Sequence, residues 1–151
     1  MPLPTRQEIC PHDDLDGRVA CEHFLGRSLE ESEALFRESS IYYQGDLMWM
    51  GAVAFRFYLP AVVQFVRSEA ATGDSDFIAH FASTLEFRLE HESQELRPVA
   101  HQLADLCGYV VEHWSRFESG SEFYDDVRTR YQTLQQTFSR LAAETPTERT
   151  A

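Results

Sequence analysis

Residues 124–141 read YDDVRTRYQTLQQTFSRL, the most regular helical pattern in the chain. Large apolar side chains recur there at steps of three and four residues, at Tyr124, Val127, Tyr131, Leu134, Phe138 and Leu141. Such steps place all six on one face of a helix. This seam spans about two and a half heptads, fewer than the roughly three to four that indicate a coiled coil. We therefore expect it to pack on the protein's own core, with self-association into a homodimer as the alternative.

Two further helices are predicted before this one by the same kind of spacing. A stop and cap at Gly73-Asp74-Ser75 is followed by Phe77, Ile78, Phe81, Leu85 and Leu89, which indicates a helix ending near His91. Pro98 suits the first turn of the next helix, because its missing amide proton is no loss there. That helix is expected to run to Phe117 along the stripe Val99, Leu103, Leu106, Val110, His113 and Phe117.

The amino-terminal half contains shorter predicted elements. Residues 1–14 hold three prolines and are expected to be an extended lead. A short helix is expected from Asp16 to Gly26. Ser28 and Glu31 form the S-x-x-E capping box of another helix, expected over residues 29–38.

Residues 39–70 combine an aromatic segment with an apolar one. We expect an irregular aromatic connector over residues 39–51, because no second strand pattern exists to pair with it. Residues 52–70 predict a buried helix, in which Pro60 causes a kink or a fresh start. Arg56, alone among apolar neighbours, is expected to pair with a carboxylate.

These elements indicate a single all-α domain, a compact bundle of five to six helices over residues 15–144. The 151 residues and the 43% apolar content suffice for one core. Residues 145–151 are expected to be a frayed tail. The longest apolar stretch is interrupted by Arg56, Pro60 and Gln64, so we expect a core element there rather than a membrane span.

The charge of the chain indicates what kind of partner it has. The formal charge is -12, and all 13 basic residues are arginine, with no lysine or asparagine, a composition typical of a GC-rich bacterial genome. Binding to nucleic acid phosphates or anionic membranes needs clustered basic residues, so neither is expected. An acidic protein attracts a basic partner protein.

The excess negative charge lies in two segments, residues 1–46 and 76–118. If both segments share a surface, they form one acidic face. The predicted partner-binding residues are Asp13, Asp14, Asp16, Glu30, Glu31, Glu33, Glu86, Glu90, Glu92 and Glu95.

Motifs for catalysis are missing from the sequence. There is no G-x-S-x-G, no phosphate-binding glycine loop and no lysine, so we expect no enzyme and no cofactor. Cys21 and His23 form a C-x-H pair, but residues two apart on a helix diverge by about 200° and do not grip one ion. The alternative is a small metal-dependent enzyme or metal-binding domain that uses His12, His23, His80 or His91 with carboxylates.

Cys10, Cys21 and Cys107 cannot all pair within one chain, and the amino terminus lacks an apolar signal region. A reducing cytoplasm is the expected location. Cys107 lies within an apolar stripe and is expected to be a buried structural thiol.

The segment AFRFYLPA, residues 54–61, resembles a stretch found in a family of small acidic bacterial proteins that are uncharacterised. The likeness extends loosely over residues 29–87. Some members of that family look like immunity proteins paired with bacterial toxins. The resemblance implies a cytoplasmic accessory role. Together with the charge, it leads to the hypothesis of a non-enzymatic immunity or inhibitor protein that occupies the basic surface of a toxin.

Overall fold

The computed structural model of the protein describes residues 2–118 and 126–144. Within these ranges the chain forms eight α-helices and no strand, which confirms the prediction of an all-α bundle. The helices are α1 (Arg6–Ile9), α2 (Leu15–Phe24), α3 (Leu29–Trp49), α4 (Ala52–Arg67), α5 (Ser75–Glu92), α6 (Ala100–Glu112), α7 (Trp114–Phe117) and α8 (Val127–Ala143). Two 3₁₀ turns, Glu69–Ala71 and Ser93–Val99, flank α5. In the described part of the chain, no helix is both long and apolar enough to cross a membrane.

Side-chain caps begin several of these helices, since the first amides of a helix have no partner within it. The capping box of Ser28 and Glu31 at the start of α3 is confirmed. The predicted cap before α5 is also confirmed, because the carboxylate of Asp74 accepts from the amide of Phe77. Asp14 caps α2 in the same way by accepting from the amide of Gly17.

The lead over residues 1–14 is not wholly extended as expected, because it contains α1. Thr5 and Glu8 form a second capping box that starts this single turn. The turn is held against α4, since the amide of Gly51 donates to the carbonyl of Ile9 at 2.9 Å, and Ile9 is fully buried. A side chain at Gly51 would collide with the carbonyl of Glu8, so glycine permits this close approach.

The expectation of an irregular connector over residues 39–51 is wrong, because α3 continues through Trp49. Only Ser39 leaves helical geometry, with φ -157° and ψ 79°, and this residue kinks the helix. Tertiary hydrogen bonds hold the second half. The hydroxyl of Ser40 donates to Asp74 at 2.5 Å, and the amide of Gln44 donates to the Thr84 hydroxyl at 2.5 Å. The second half of α3 is thus held by polar contacts with α5 and its cap. A regular spacing of apolar residues, from which a helix is predicted, is missing there.

Two other predicted boundaries differ from the structure. Helix α4 runs unbroken through Pro60, where we expected a kink or a fresh start, and packs on the core with side chains on both sides of the proline. The helix expected to reach Phe117 ends at Glu112, and α7 is a separate turn. Pro98 lies in the 3₁₀ turn before α6 rather than in its first turn.

Helix α8 completes the core by packing mainly against α6 and also against α5. Its described seam residues, Val127, Tyr131, Leu134, Phe138 and Leu141, are all buried, and Tyr124 lies outside the described residues. The hydroxyl of Tyr131 donates to the carbonyl of Ile78 at 2.6 Å. Because the protein's own core occupies these five side chains, they offer no surface for the homodimer considered above. Residues 145–151, expected to be a frayed tail, also lie outside the described residues.

Two arginines satisfy the carboxyl ends of helices, whose last carbonyls otherwise lack donors. Arg88, buried to 1% exposure, donates to the carbonyls of Leu47 and Met50 at the end of α3. Arg116 donates to the carbonyls of Val66 and Ser68 at the end of α4. Both ties join helices that are distant in sequence.

Candidate functional site

The second half of α3 presents an apolar stripe to solvent. Ile41, Tyr42, Gly45 and Trp49 lie at helical steps on its outer face and are all exposed. The exposed fractions are 59% for Tyr42 and 45% for Trp49, which is high for aromatic residues. We call these four residues the α3 stripe. It lies in the segment that the sequence indicated as a connector.

Tyr42 is positioned by a hydrogen-bonded chain from α2. Its hydroxyl lies 3.2 Å from Nε2 of His23, and Nδ1 of His23 lies 2.6 Å from Oδ2 of Asp46. The ring of Tyr43 meets the His23 ring edge-on at 5.1 Å. Asp46 is nearly buried, and burial raises the pKa of its carboxyl, while the hydrogen bond with His23 opposes this effect. The chain therefore fixes His23 between a carboxylate and an exposed phenol.

Trp49 is supported from the other side, by α5. The ring of Phe87 meets the indole edge-on at 5.6 Å, and Phe87 in turn contacts His91 at 4.4 Å. The stripe thus rests on neighbours of both flanking helices. Support of this kind restricts the motion of its two aromatic rings.

Gly45 leaves a notch between the two exposed rings. A side chain added at Gly45 would have no atom within 4 Å, so this position opens to solvent. Tyr42 and Trp49 are seven residues apart, which is about 10 Å along a helix. The position between the two rings is therefore open to solvent.

Most of the predicted partner-binding carboxylates have local structural roles. Four pair with arginines: Asp13 with Arg18, Glu33 with Arg37, Glu86 with Arg130 and Glu95 with Arg56, the last confirming that Arg56 pairs with a carboxylate. Asp14 and Glu31 cap helices, and Glu92 binds the buried Arg88. Within the described residues, only Asp16, Glu30 and Glu90 of the predicted set make no hydrogen bond or ion pair, and all three are exposed.

Glu33 and Glu95, one from each acidic segment, lie near opposite ends of α4. Glu33 lines a cleft with Gln64 and Arg67 near the carboxyl end of this helix, whereas Glu95 pairs with Arg56 near its amino end. Arg56 and Arg67 are eleven residues apart, about 16 Å along a helix. The structure therefore separates Glu33 from Glu95.

The described residues offer no metal centre, since no three potential ligands come together in them. His12, His80 and His91 are exposed, and His23 binds Asp46 and Tyr42 instead. Cys107 is fully buried, as predicted, and burial raises the pKa of its thiol to about 12. A thiol of this kind is a poor nucleophile.

Sequence reasoning missed the α3 stripe and the pairing of His23 with Asp46. These partners are 23 residues apart on different helices, and no local spacing links them. The sequence contained one signal for the stripe, the spacing of seven residues between Tyr42 and Trp49, which is two helical turns. Gly45 and Asp46 lie between these residues and made a turn look more plausible than a helix.

No protein-family model, curated protein or solved structure matches this chain. The case for a function therefore rests on the geometry and charge of the chain itself.

Proposed function

We propose that the protein is a non-enzymatic binding protein that captures a basic partner protein through the α3 stripe. The observation that carries this proposal is the exposure of Tyr42 and Trp49 on either side of Gly45, in a chain whose formal charge is -12.

The aromatic residues of the stripe have the chemistry of interface anchors. Tyrosine and tryptophan dominate binding energies at protein interfaces, because each buries a large rigid surface and keeps one polar group for a hydrogen bond. Most phenylalanines of this chain are instead buried in its core. The exposed rings of Tyr42 and Trp49 are therefore the available anchors on α3.

Charge supplies the attraction that brings the partner to the stripe. Glu38 is exposed on α3, four residues before Tyr42. The unpaired carboxylates of Asp16, Glu30 and Glu90 add to the negative field of the molecule. A field of this sign accelerates the association of a basic protein and weakens as salt is added.

An immunity or inhibitor protein is the specific role that we propose. A toxin that acts on nucleic acid has a basic substrate groove, and an acidic protein occupies such a groove in place of phosphates. We propose a bacterial cytoplasm as the location, which agrees with three buried cysteines that form no disulfide.

The test is a comparative capture experiment. Tagged wild-type protein, the double variant Tyr42→Ala/Trp49→Ala and the control Leu15→Ala are exposed to lysate of the source organism at low salt. Leu15 is the matched control because it is 74% exposed but lies on α2, outside the stripe. Proteins released by a rising salt gradient are identified by mass spectrometry, and each is then purified and titrated by calorimetry.

The expected result is a basic protein that the wild type and Leu15→Ala both bind, with affinity falling as salt rises. Each stripe substitution is expected to cost about 2 kcal/mol of binding, roughly a thirtyfold rise in Kd. Equal affinity of the double variant and the wild type would disprove the role of the stripe. Binding that does not change with salt would disprove the role of charge. Circular dichroism of each variant shows whether the fold is intact.

A further inference from the structure

A second feature of this acidic molecule is a small cleft that gathers positive charge. The cleft has a volume of about 190 Å³ and is lined by Glu33 and Arg37 of α3 and by Gln64, Arg67 and Ser68 at the end of α4. Sites for drug-sized ligands occupy roughly 300 to 1,000 Å³, so this cleft suits a smaller group. We call it the α3–α4 cleft.

The guanidinium of Arg67 lacks an anionic partner in the described part of the chain. Its carbon lies 4.5 Å from the centre of the Tyr109 ring, and it makes no ion pair with any described carboxylate. Other arginines of the protein differ in this respect, because Arg18, Arg56 and Arg130 each bind a carboxylate. Arg67 is thus held by a cation–π contact while its five N–H donors remain available.

Arg37 contributes the second cation of the cleft, and Glu33 reduces the total charge. Nε and Nη2 of Arg37 both bind Oε2 of Glu33, at 3.0 and 2.6 Å. Two guanidinium groups and one carboxylate leave a net charge of +1. The polar side chains of Gln64 and Ser68 complete the lining. A single negative charge would balance this cleft.

The carboxyl end of α4 does not compete for Arg67, because another arginine satisfies it. Arg116 donates to the carbonyls of Val66 and Ser68. It also donates to the hydroxyl of Tyr109 at 2.7 Å, which fixes the ring on which Arg67 lies. The position of Arg67 is therefore supported through Tyr109.

We propose that the α3–α4 cleft binds a small monocarboxylate, with Arg67 as its principal ligand. The planar fork of a guanidinium matches the two oxygens of a carboxylate and forms two parallel hydrogen bonds with them. The side-chain amide of Gln64 supplies a further donor at the rim, and the net charge of +1 selects one negative charge. This site is independent of the α3 stripe and of the proposed partner.

The test is a titration of the full chain with sodium acetate, with sodium chloride at equal ionic strength as the reference. Arginine Nε–H resonances report on each side chain, and calorimetry gives the affinity. The expected result is a saturable shift of the Arg67 resonance with acetate. Arg67→Ala is expected to weaken acetate binding by about tenfold or more, and Arg67→Lys by less, since lysine keeps the charge and loses the fork.

The direction in which Glu33→Gln changes the acetate affinity is the decisive measurement. Removing this carboxylate is expected to tighten acetate binding about threefold, because the cleft gains positive charge. A merely structural role of the Glu33–Arg37 pair predicts weaker binding or none. The matched control is Arg140→Ala, the loss of an exposed arginine on α8, which is expected to leave the affinity unchanged.

Three results would overturn the proposal of an anion site at Arg67. They are a response to acetate no larger than the response to chloride, an Arg67→Lys or Arg67→Ala variant that binds acetate as the wild type does, and weaker binding by a folded Glu33→Gln variant. Inorganic phosphate is the last probe. Tighter binding of phosphate than of acetate would overturn the choice of a monocarboxylate.

Discussion

His23 and Asp46 join α2 to the second half of α3, with Nδ1 of the imidazole 2.6 Å from Oδ2 of the carboxylate. Asp46 is buried, and within the described residues His23 is the one partner of its carboxylate. The same imidazole reaches the hydroxyl of Tyr42 on the exposed side. One buried carboxylate thus orients a residue of the α3 stripe.

Removing His23 should destabilise the fold and make its stability depend on pH. His23→Ala leaves Asp46 buried without its partner, which is expected to lower the free energy of unfolding by about 1 to 3 kcal/mol at pH 7. Burial already raises the pKa of Asp46, and loss of His23 raises it further. A raised carboxyl pKa means that stability is present at low pH and lost as pH rises through that pKa. The deficit of His23→Ala is therefore expected to shrink towards pH 4.

Urea unfolding at pH 4, 5.5 and 7 measures this effect. The control is His101→Ala, because His101 forms a similar pair with Asp105 but is 87% exposed, and it is expected to change little at any pH. A deficit of His23→Ala that is constant or grows on acidification would contradict the assignment. Asp46→Ala combined with His23→Ala should cost less than the two single changes added together.

Arg88→Met should destabilise the protein more than any exposed arginine change. The guanidinium binds two carbonyls at the end of α3 and the carboxylate of Glu92, and methionine supplies none of these donors. We expect a loss of about 3 kcal/mol in the free energy of unfolding, measured by urea denaturation. Arg128→Met on α8 is the control and should cost less than about 0.5 kcal/mol. Equal costs would mean that the hydrogen bonds of Arg88 make no net contribution to stability.

Phe138→Ala distinguishes the two interpretations of the α8 seam. Because Phe138 is fully buried, its truncation is expected to cost about 3 to 5 kcal/mol, with no change in molecular mass by light scattering. Gln136→Ala, an exposed change on the same helix, is expected to be neutral. A Phe138→Ala variant of normal stability but lower mass would instead support the homodimer.

Cys107 should make the protein sensitive to alkali. Burial raises the pKa of its thiol from 9.0 to about 12, so the folded state holds a proton that the unfolded state releases above pH 9. Stability is therefore full below pH 9 and falls as pH rises from there towards 12. Between pH 9 and pH 10 the wild type is expected to lose about 1 kcal/mol from this group alone.

Cys107→Ala removes this contribution, so its free energy of unfolding should fall less over the same interval. Urea unfolding under a reducing agent at pH 8, 9 and 10 measures the difference, after correction for the offset between the two proteins at pH 8. Parallel losses in both proteins would show that Cys107 ionises equally in the folded and unfolded states. Tyr58, whose pKa is raised to about 12 by burial, adds its own loss only above pH 10.

Much of the fold is predictable from local spacing, as α5 and α8 illustrate. In both helices, apolar residues at three- and four-residue steps meet the core, and short-range caps such as Asp74 and Ser28 mark where helices begin. Local spacing also indicated that Arg56 needs a carboxylate, because a lone charge among apolar neighbours is too costly to bury. The candidate site was not predictable in this way, since the charged residues first chosen mostly serve caps and ion pairs.

The amino-acid sequence by itself determined the all-α class, the caps at Ser28 and Asp74 and the acidic charge, because these depend on residues within a few positions of each other and on composition. Tertiary structure alone decided that residues 40–49 are helical, since Ser40 finds its partner at Asp74, the cap of α5, and Gln44 at Thr84 within α5. It also decided that Tyr42 and Trp49 face solvent while the α8 seam is buried. The physical reason is that hydrogen bonds and burial between distant segments carry energies comparable to local propensity, and no spacing within one segment encodes them.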